Sequence, residues 1–366
     1  MPFITLNSLK TTHIEFNPRQ SYNTQWNFNI QRQLTRSLAL TVGYVGATGV
    51  HLQHQQNDND QVPATLVHFD QALDAFVFPT LGPGQVPQRI NPNFGSFSST
   101  DWNGHSSYHA LQVNLVERPL KGLYYQLAYS YSKSLDDGSA VVNEASESSN
   151  SSGAPWSGCQ SCNKGPSDFN IPHNFVANFQ YDIPMPAGVK SHALSNTILG
   201  GWQIGGIYTR QSGAGFSIKD GGDQAGTGSS VANTGSGGQR PMYVAGPGCT
   251  PGATTGNIYG LFINTSCFAF PAKGVLGNLG RNTFHMPVFR DLDFSVFKNQ
   301  NLWGEKLKAQ LRIEMFNVMN NTNFQATLLT IFNGTGLLNS NLTSPSSIGN
   351  TVNTSRQIQF GLRLLF

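Results

Sequence analysis

RQIQFGLRLLF, residues 356–366, sets Ile358, Phe360, Leu362, Leu364 and Phe366 on one side of an extended backbone and Gln357, Gln359, Gly361 and Arg363 on the other. Successive side chains of a strand point to opposite faces, so a period of two reads as a strand with one apolar and one wet face. Such a face can belong to the core of a soluble sandwich or to a wall standing in hydrocarbon, and the rest of the chain has to decide between them.

The same period returns upstream. Tyr22, Thr24, Trp26, Phe28 and Ile30 oppose Asn23, Gln25, Asn27, Asn29 and Gln31, and Leu38, Leu40, Val42 and Tyr44 continue after a short polar break. Leu111, Val113 and Leu115 alternate with Gln112 and Asn114. Leu123, Tyr125, Leu127, Tyr129 and Tyr131 then oppose Gln126, Ser130 and Ser132, after a tight turn at 118–122. Phe175, Phe179, Tyr181 and Ile183 face away from Asn174, Asn178, Gln180 and Asp182, and Trp202, Ile204 and Tyr208 from Gln203, Thr209 and Gln211. Two further segments set Leu292, Phe294 and Val296 against Asp291, Asp293 and Ser295, and Leu307, Leu311, Ile313 and Met315 against Lys308, Gln310, Arg312 and Glu314.

About nine segments result, each long enough for the 9–11 residues with which a tilted strand crosses a bilayer, whereas soluble strands run nearer 5–6. Their links alternate. Short or moderate ones lie near 34–37, 118–122, 184–199 and 299–306, and long polar ones near 47–106, 134–172, 213–288 and 319–355. Outer-membrane barrels alternate periplasmic turns with extracellular loops in this way. The reading is therefore all-β, an antiparallel transmembrane β-barrel over 22–366 with 1–21 as a leading loop segment. Rich in Gly, Ser, Asn and Pro, the long links are expected to be mobile surface loops that meet ligand first. The carboxyl terminus then falls in the periplasm.

Composition agrees. Charged residues are 11% of the chain while glycine numbers 39, a mix suited to strands and turns. Mean hydropathy is −0.26 and no run approaches the length of a membrane-spanning helix, a test that barrel strands escape by alternating. A net charge of +3 is too slight for a nucleic-acid footprint, so no nucleic-acid partner is expected. The first residues lack the pattern of a signal peptide.

Trp26, Tyr44, Tyr129, Tyr131, Trp202 and Tyr208 lie on apolar strand faces, several near strand ends, and suit the aromatic girdles of a membrane interface. Cys159 with Cys162, and Cys249 with Cys267, sit in polar links. Two loop disulfides in an oxidising compartment are the expectation, with a Cys-x-x-Cys redox or zinc half-site as the alternative. His51 and His54 have metal-like spacing only if helical, and they read as a solvated loop. Asn57-Asp58-Asn59-Asp60 and Asp220-Gly221-Gly222-Asp223 offer oxygens to Ca²⁺ without completing a known loop motif. Asp291, Asp293, Arg312, Glu314 and Arg363 are placed on the lumen side, either along a transport path or as cross-strand ion pairs that hold register, the second being preferred. Nucleophile and phosphate signatures are absent, so neither enzymatic activity nor a cofactor is expected.

The tail carries Gln359, Gly361, Leu364 and Phe366, and it resembles the signal by which the barrel assembly machinery engages the last strand of outer-membrane barrels. Physically, an exposed strand edge can be read by strand addition. Beyond the tail, NPRQSYNTQWNFNIQRQL at 17–34, LTVGYVGATG at 40–49, YHALQVNLVERPLKGLYYQLAYSYSKSLDD at 108–137, RDLDFSVFKN at 290–299 and LKAQLRIEMFNVMNNTNF at 307–324 resemble Oar-like TonB-dependent receptors, which often carry a carboxypeptidase-regulatory-like domain. That resemblance implies a plugged barrel of 22 strands and uptake energised through TonB. Against it, the plug, the TonB-contact segment and about the first thirteen strands are missing, so the chain reads as the carboxy-terminal part of a longer Gram-negative receptor. The partners implied are outer-membrane lipid, the assembly machinery, the TonB complex through an amino-terminal part, and an extracellular ligand of unknown identity. The alternative function is a surface adhesin barrel without energised transport.

Overall fold

A computed structural model describes residues 11–57, 59–61, 66–80, 89–95, 97–139, 156, 158–185, 197–228, 239–258, 262–303, 307–325, 329–333, 335–338 and 350–366. Nine strands form the main path of one sheet: β1 (Tyr22–Gln33), β2 (Leu38–Asn57), β3 (Phe97–Leu120), β4 (Leu123–Asp136), β5 (His173–Asp182), β6 (Trp202–Gln211), β7 (Phe289–Trp303), β8 (Leu307–Phe316) and β9 (Gln357–Leu365). Each pairs antiparallel with its predecessor, as the periodicity predicts. No described helix is long and apolar enough to cross a membrane, which says nothing about a β-barrel.

Register turns the alternation of single strands into two continuous faces. Phe28, Tyr44, Leu111, Tyr131 and His173 stand in one row across β1 to β5. Ile204, Val296, Ile313 and Phe360 continue the same side across β6 to β9. Opposite them run Asn29, Gly43, Gln112, Ser130 and Asn174. A slip of one residue in any pair would carry a row of aromatics onto the amide face, which is why the pattern specifies the pairing.

The turns follow local chemistry. Lys121 (φ 52°) and Gly122 (φ 85°) close a two-residue hairpin between the paired Leu120 and Leu123, with the left-handed backbone that matches strand twist. At 34–37, Thr35 Oγ1 accepts the Leu38 amide at 3.0 Å. Pairing runs further into several links than alternation indicates. The link placed at 47–106 is strand to Asn57 and again from Phe97, and β7 reaches Trp303. The sequence there is polar at odd and even positions alike, so pairing continues after the apolar period has ended.

Apart from Ala110 on β3, the buried apolar side chains among the described residues lie in the links. Phe216, Ile218, Ile263, Phe284, Ile331 and neighbours form one cluster, and Phe78, Trp156, Ala225 and Leu276 a second. Phe216 and Ile331 are 0% exposed, whereas Phe360 and Leu362 on the sheet are 71% and 68% exposed. Short pairings bind the links together, with Ile218–Lys219 against Leu329–Thr330 and Met242–Tyr243 against Phe268–Ala269. The described parts of the long links fold into packed clusters. Their aromatics recur without a period and so gave no strand or helix signal.

Candidate functional site

The polar face of the sheet and the folded loops meet at one end, the loop end, of β2 to β7. On that face amides bond amides across strands: Gln126 donates to Asn114 Oδ1 at 2.8 Å, Gln211 to Asn174 Oδ1 at 3.2 Å and Gln310 to Asn299 Oδ1 at 2.8 Å. Asp291, Asp293, Arg312, Glu314 and Arg363 all share the face, as the period requires. The preferred pairing of opposite charges is not what the register gives. Glu314 stands between Ser295 and Gln359, Arg312 between Phe297 and Gly361, and Arg363 opposite Gln310. Arg312 instead donates to Gln310 Oε1 at 2.6 Å and lies over the Phe297 ring. Across the register these charges face uncharged partners, Thr209 opposite Asp291, Ile207 opposite Asp293 and Phe297 opposite Arg312 among them, so the apolar face holds the register.

Buried cations fasten the loop unit to the sheet. Arg281, 1% exposed, pairs with the Asp136 carboxylate at the end of β4 and donates to the carbonyls of Asp136 (2.8 Å) and Gly165 (3.2 Å). Asn282 donates to Asp168 Oδ1 at 2.6 Å and to Pro166 O at 2.9 Å. Arg240 donates to Asn163 Oδ1 at 3.2 Å and to Cys162 O at 3.3 Å. Burial pulls the Arg240 guanidinium down to about 10, with Arg281 adding repulsion. Lys219 falls to about 8 through burial and then Arg240, with Asp168 opposing. Asp220 rises to about 7, chiefly through burial and then Asp223, against a hydrogen bond from Gly222.

The two cysteine pairs are closed as disulfides, Cys159 with Cys162 and Cys249 with Cys267. The first closes a 3-10 turn over Gln160–Asn163, and Cys267 sits in the larger loop core. Among the described residues no cluster of metal-binding side chains forms. His51 has φ 55° and lies edge-on to Tyr22, and His54 pairs through its backbone with Asp101. Of the two oxygen-rich segments, Asp220–Asp223 does not converge on an open site. Asp223 is occupied by Gly228 N (2.6 Å), Thr227 N (2.9 Å) and Gln239 Nε2 (2.5 Å), closing its own turn. In Asn57–Asp60, Asp58 lies outside the described residues, and the Asn59 side chain braces the loop through Gly95 O at 2.6 Å and Asn91 N at 2.7 Å.

The aromatics named from sequence all lie on the apolar face. Tyr44 bonds His109 Nδ1 at 2.7 Å beside Trp26, and Tyr129 bonds His173 Nδ1 at 2.8 Å beside Tyr131. Tyr208 packs edge-on to Phe175. At the turn end, Trp202 donates its indole N–H to Ile198 O at 2.8 Å beneath the Lys298 ammonium. The histidine partners were not found from sequence, because a lone His on an apolar face carries no spacing signal. In the tail, Gln359, Gly361 and Leu364 lie on β9, whose one paired neighbour among the described strands is β8, and Phe366 is fully exposed.

A cleft of about 440 Å³ opens where β2, β3 and β4 meet the disulfide-closed turn, with His105, Ser106, Leu135, Asp137, Gln160 and Lys164 among its walls. Asp137 accepts the His105 amide at 2.8 Å and faces the His105 ring at 3.5 Å. The carboxamide nitrogen and oxygen of Gln160 are both buried and have no hydrogen-bond partner among the described residues. Sequence reasoning missed this cleft, since its residues come from four separated segments with no shared period.

Comparison with known proteins gives one family and several solved structures. Residues 2–359 match the family described as "Outer membrane beta barrel domain". No curated protein matches the sequence. Among solved structures, the outer membrane transporter YddB from Escherichia coli is similar at 11% identity and a TM-score of 0.47, covering 98% of this chain and 34% of its own. The FrpB iron transporter from Neisseria meningitidis is similar at 11% identity and a TM-score of 0.39, covering 97% of this chain and 32% of its own. The chain thus spans about a third of the length of these structures.

Proposed function

Because the chain belongs to the outer membrane beta barrel domain family, we propose that it is the ligand-receiving wall of a TonB-dependent receptor in a Gram-negative outer membrane. The observation that supports this reading is the joining of three features: a continuous, mainly apolar face, an amide-lined opposite face, and a folded loop unit fixed over one end of it by Arg281 and Asp136. In this arrangement the loops lie outside the cell and the turns and carboxyl terminus in the periplasm. The ligand meets the loop unit first and leaves along the amide face. The chain itself performs no chemistry.

The partners follow from surfaces. Outer-membrane lipid covers the apolar face, and the assembly machinery reads β9 through its free edge. The edges of β1 and β9 do not pair with each other among the described residues, and unpaired backbone in lipid costs several kcal/mol per group. Further strands therefore complete the wall in the intact receptor, and a separate segment contacts TonB.

Mass spectrometry of spent medium tests the reading whatever the ligand is. Cells with and without the gene are compared, with and without a protonophore. At least one solute should be depleted only when the chain is present and the membrane energised. Depletion or surface retention that ignores the protonophore would favour an adhesin barrel instead.

A further inference from the structure

We propose that a belt of five basic residues at the loop end of the apolar face binds a lipid whose headgroup carries phosphate. Register assembles the belt. His109 on β3 stands directly opposite Lys133 on β4, and Arg210 on β6 directly opposite Arg290 on β7. His173 on β5 lies diagonally between the two pairs: it faces Tyr131 on β4, while Phe175, two residues on, faces Arg210. Opposed cross-strand side chains have Cβ atoms about 5 Å apart and diagonal ones about 7–8 Å, so each cation is within reach of the next. All five residues are exposed.

The strongest observation is charge left without a counterpart. Arg210 and Arg290 are like charges directly opposite each other, an arrangement that destabilises a strand pair. Among the described residues none of the five makes a salt bridge, and Asp291, Asp293 and Glu314 all sit on the amide face. Asp137, beyond the belt, faces His105. The turn end of the same face is balanced differently: Glu117 accompanies Arg32 there, and the Lys298 ammonium is bonded to Gly200 O and lies over Trp202. An anion between Arg210 and Arg290 removes their repulsion, and the planar fork of arginine matches phosphate with two parallel hydrogen bonds. His109 and His173 each turn Nδ1 to a tyrosine hydroxyl, which leaves Nε2 for a second partner.

Depth and neighbours select a lipid over a soluble anion. Counted from the turn end of its strand, each of the five stands roughly 9–14 residues out, at or beyond the 9–11 that cross hydrocarbon. The belt therefore lies at headgroup level, on the side turned away from the amide-lined face. One step toward the turns, the same strands present Leu111, Tyr131, Phe175, Tyr208 and Leu292, a surface for acyl chains. A free anion would use the cations alone, whereas a phosphorylated lipid uses both surfaces.

The inference deepens the receptor reading and rests on its placing of this face in lipid. Binding is read by native mass spectrometry of the intact receptor in detergent, with diphosphoryl lipid A and the same lipid fully dephosphorylated as probes. The phosphorylated form should bind about tenfold more tightly, the scale of one charge-assisted hydrogen bond. Arg210→Gln combined with Arg290→Gln should weaken it about tenfold and leave the dephosphorylated form unchanged, a split that general unfolding does not produce. Arg32→Gln combined with Arg36→Gln removes the same charge at the turn end and should change neither. Equal binding of the two lipids, unchanged affinity in the Arg210 and Arg290 variant, equal weakening in the turn-end variant, or inorganic phosphate binding as tightly as the lipid would each overturn the proposal. Energised solute depletion by cells would stand in any of those cases, so failure of the belt is told apart from failure of the receptor reading.

Discussion

Arg281 carries the attachment between the loop unit and the sheet. It is fully enclosed, and Asp136 is 3% exposed, so removing one partner leaves the other charged and dry. Arg281→Ala should cost about 3–5 kcal/mol of loop-unit stability, whereas Arg281→Met combined with Asp136→Leu should recover most of it. Limited proteolysis of the links checks this, and equal fragility of the two variants would contradict it. Asp220 adds a pH dependence. Its folded pKa of about 7 lies above the usual 3.8, so between those values the folded state holds more protons than the unfolded state. Stability should therefore fall as pH rises from about 4 to 7, by at most about 4 kcal/mol. Asp220→Asn should flatten that slope in the protease-resistance profile. Lys219, lowered to about 8, acts in a separate window: stability rises with pH from about 8 to 10.5.

At the scale of the element, the strands were legible and the loops were not. The apolar face of β9, with Ile358, Phe360 and Leu362, could be read directly, because hydrocarbon on one side and water on the other impose a strict period of two. Phe216, Phe262 and Phe284 could not, because a compact loop core selects residues by three-dimensional contact and leaves no periodic trace. The same reasoning separates two substitutions on one strand. Leu362→Arg on the apolar face should cost about 2–4 kcal/mol near the membrane centre, while Gln359→Arg on the amide face should cost little. Urea titration with a heat-modifiable gel shift distinguishes them, and equal effects would argue against two-sided strands. The Cys249–Cys267 disulfide closes a separation of 18 residues within the larger loop core. Replacing both by Ser should destabilise that unit by about 3 kcal/mol and leave the sheet's gel shift unchanged.

Taken whole, the molecule reverses the usual distribution of apolar side chains. Its sheet shows aromatic and aliphatic residues outward, and its buried core lies in the connections. The site was legible only in part. The paired cysteines and the polar face carry local signals, but the cleft depends on His105, Asp137 and Gln160 meeting through tertiary contact. Everything rests on alternate side chains of the strands meeting lipid and water, and spin labels test this most directly. With labels placed singly at positions 357 to 364 of the intact receptor in bilayers, oxygen accessibility should peak at 358, 360, 362 and 364. Accessibility to a water-soluble nickel chelate should peak at 357, 359, 361 and 363. Uniform accessibility along β9, or positions 360 and 362 shielded from both reagents, would contradict the account.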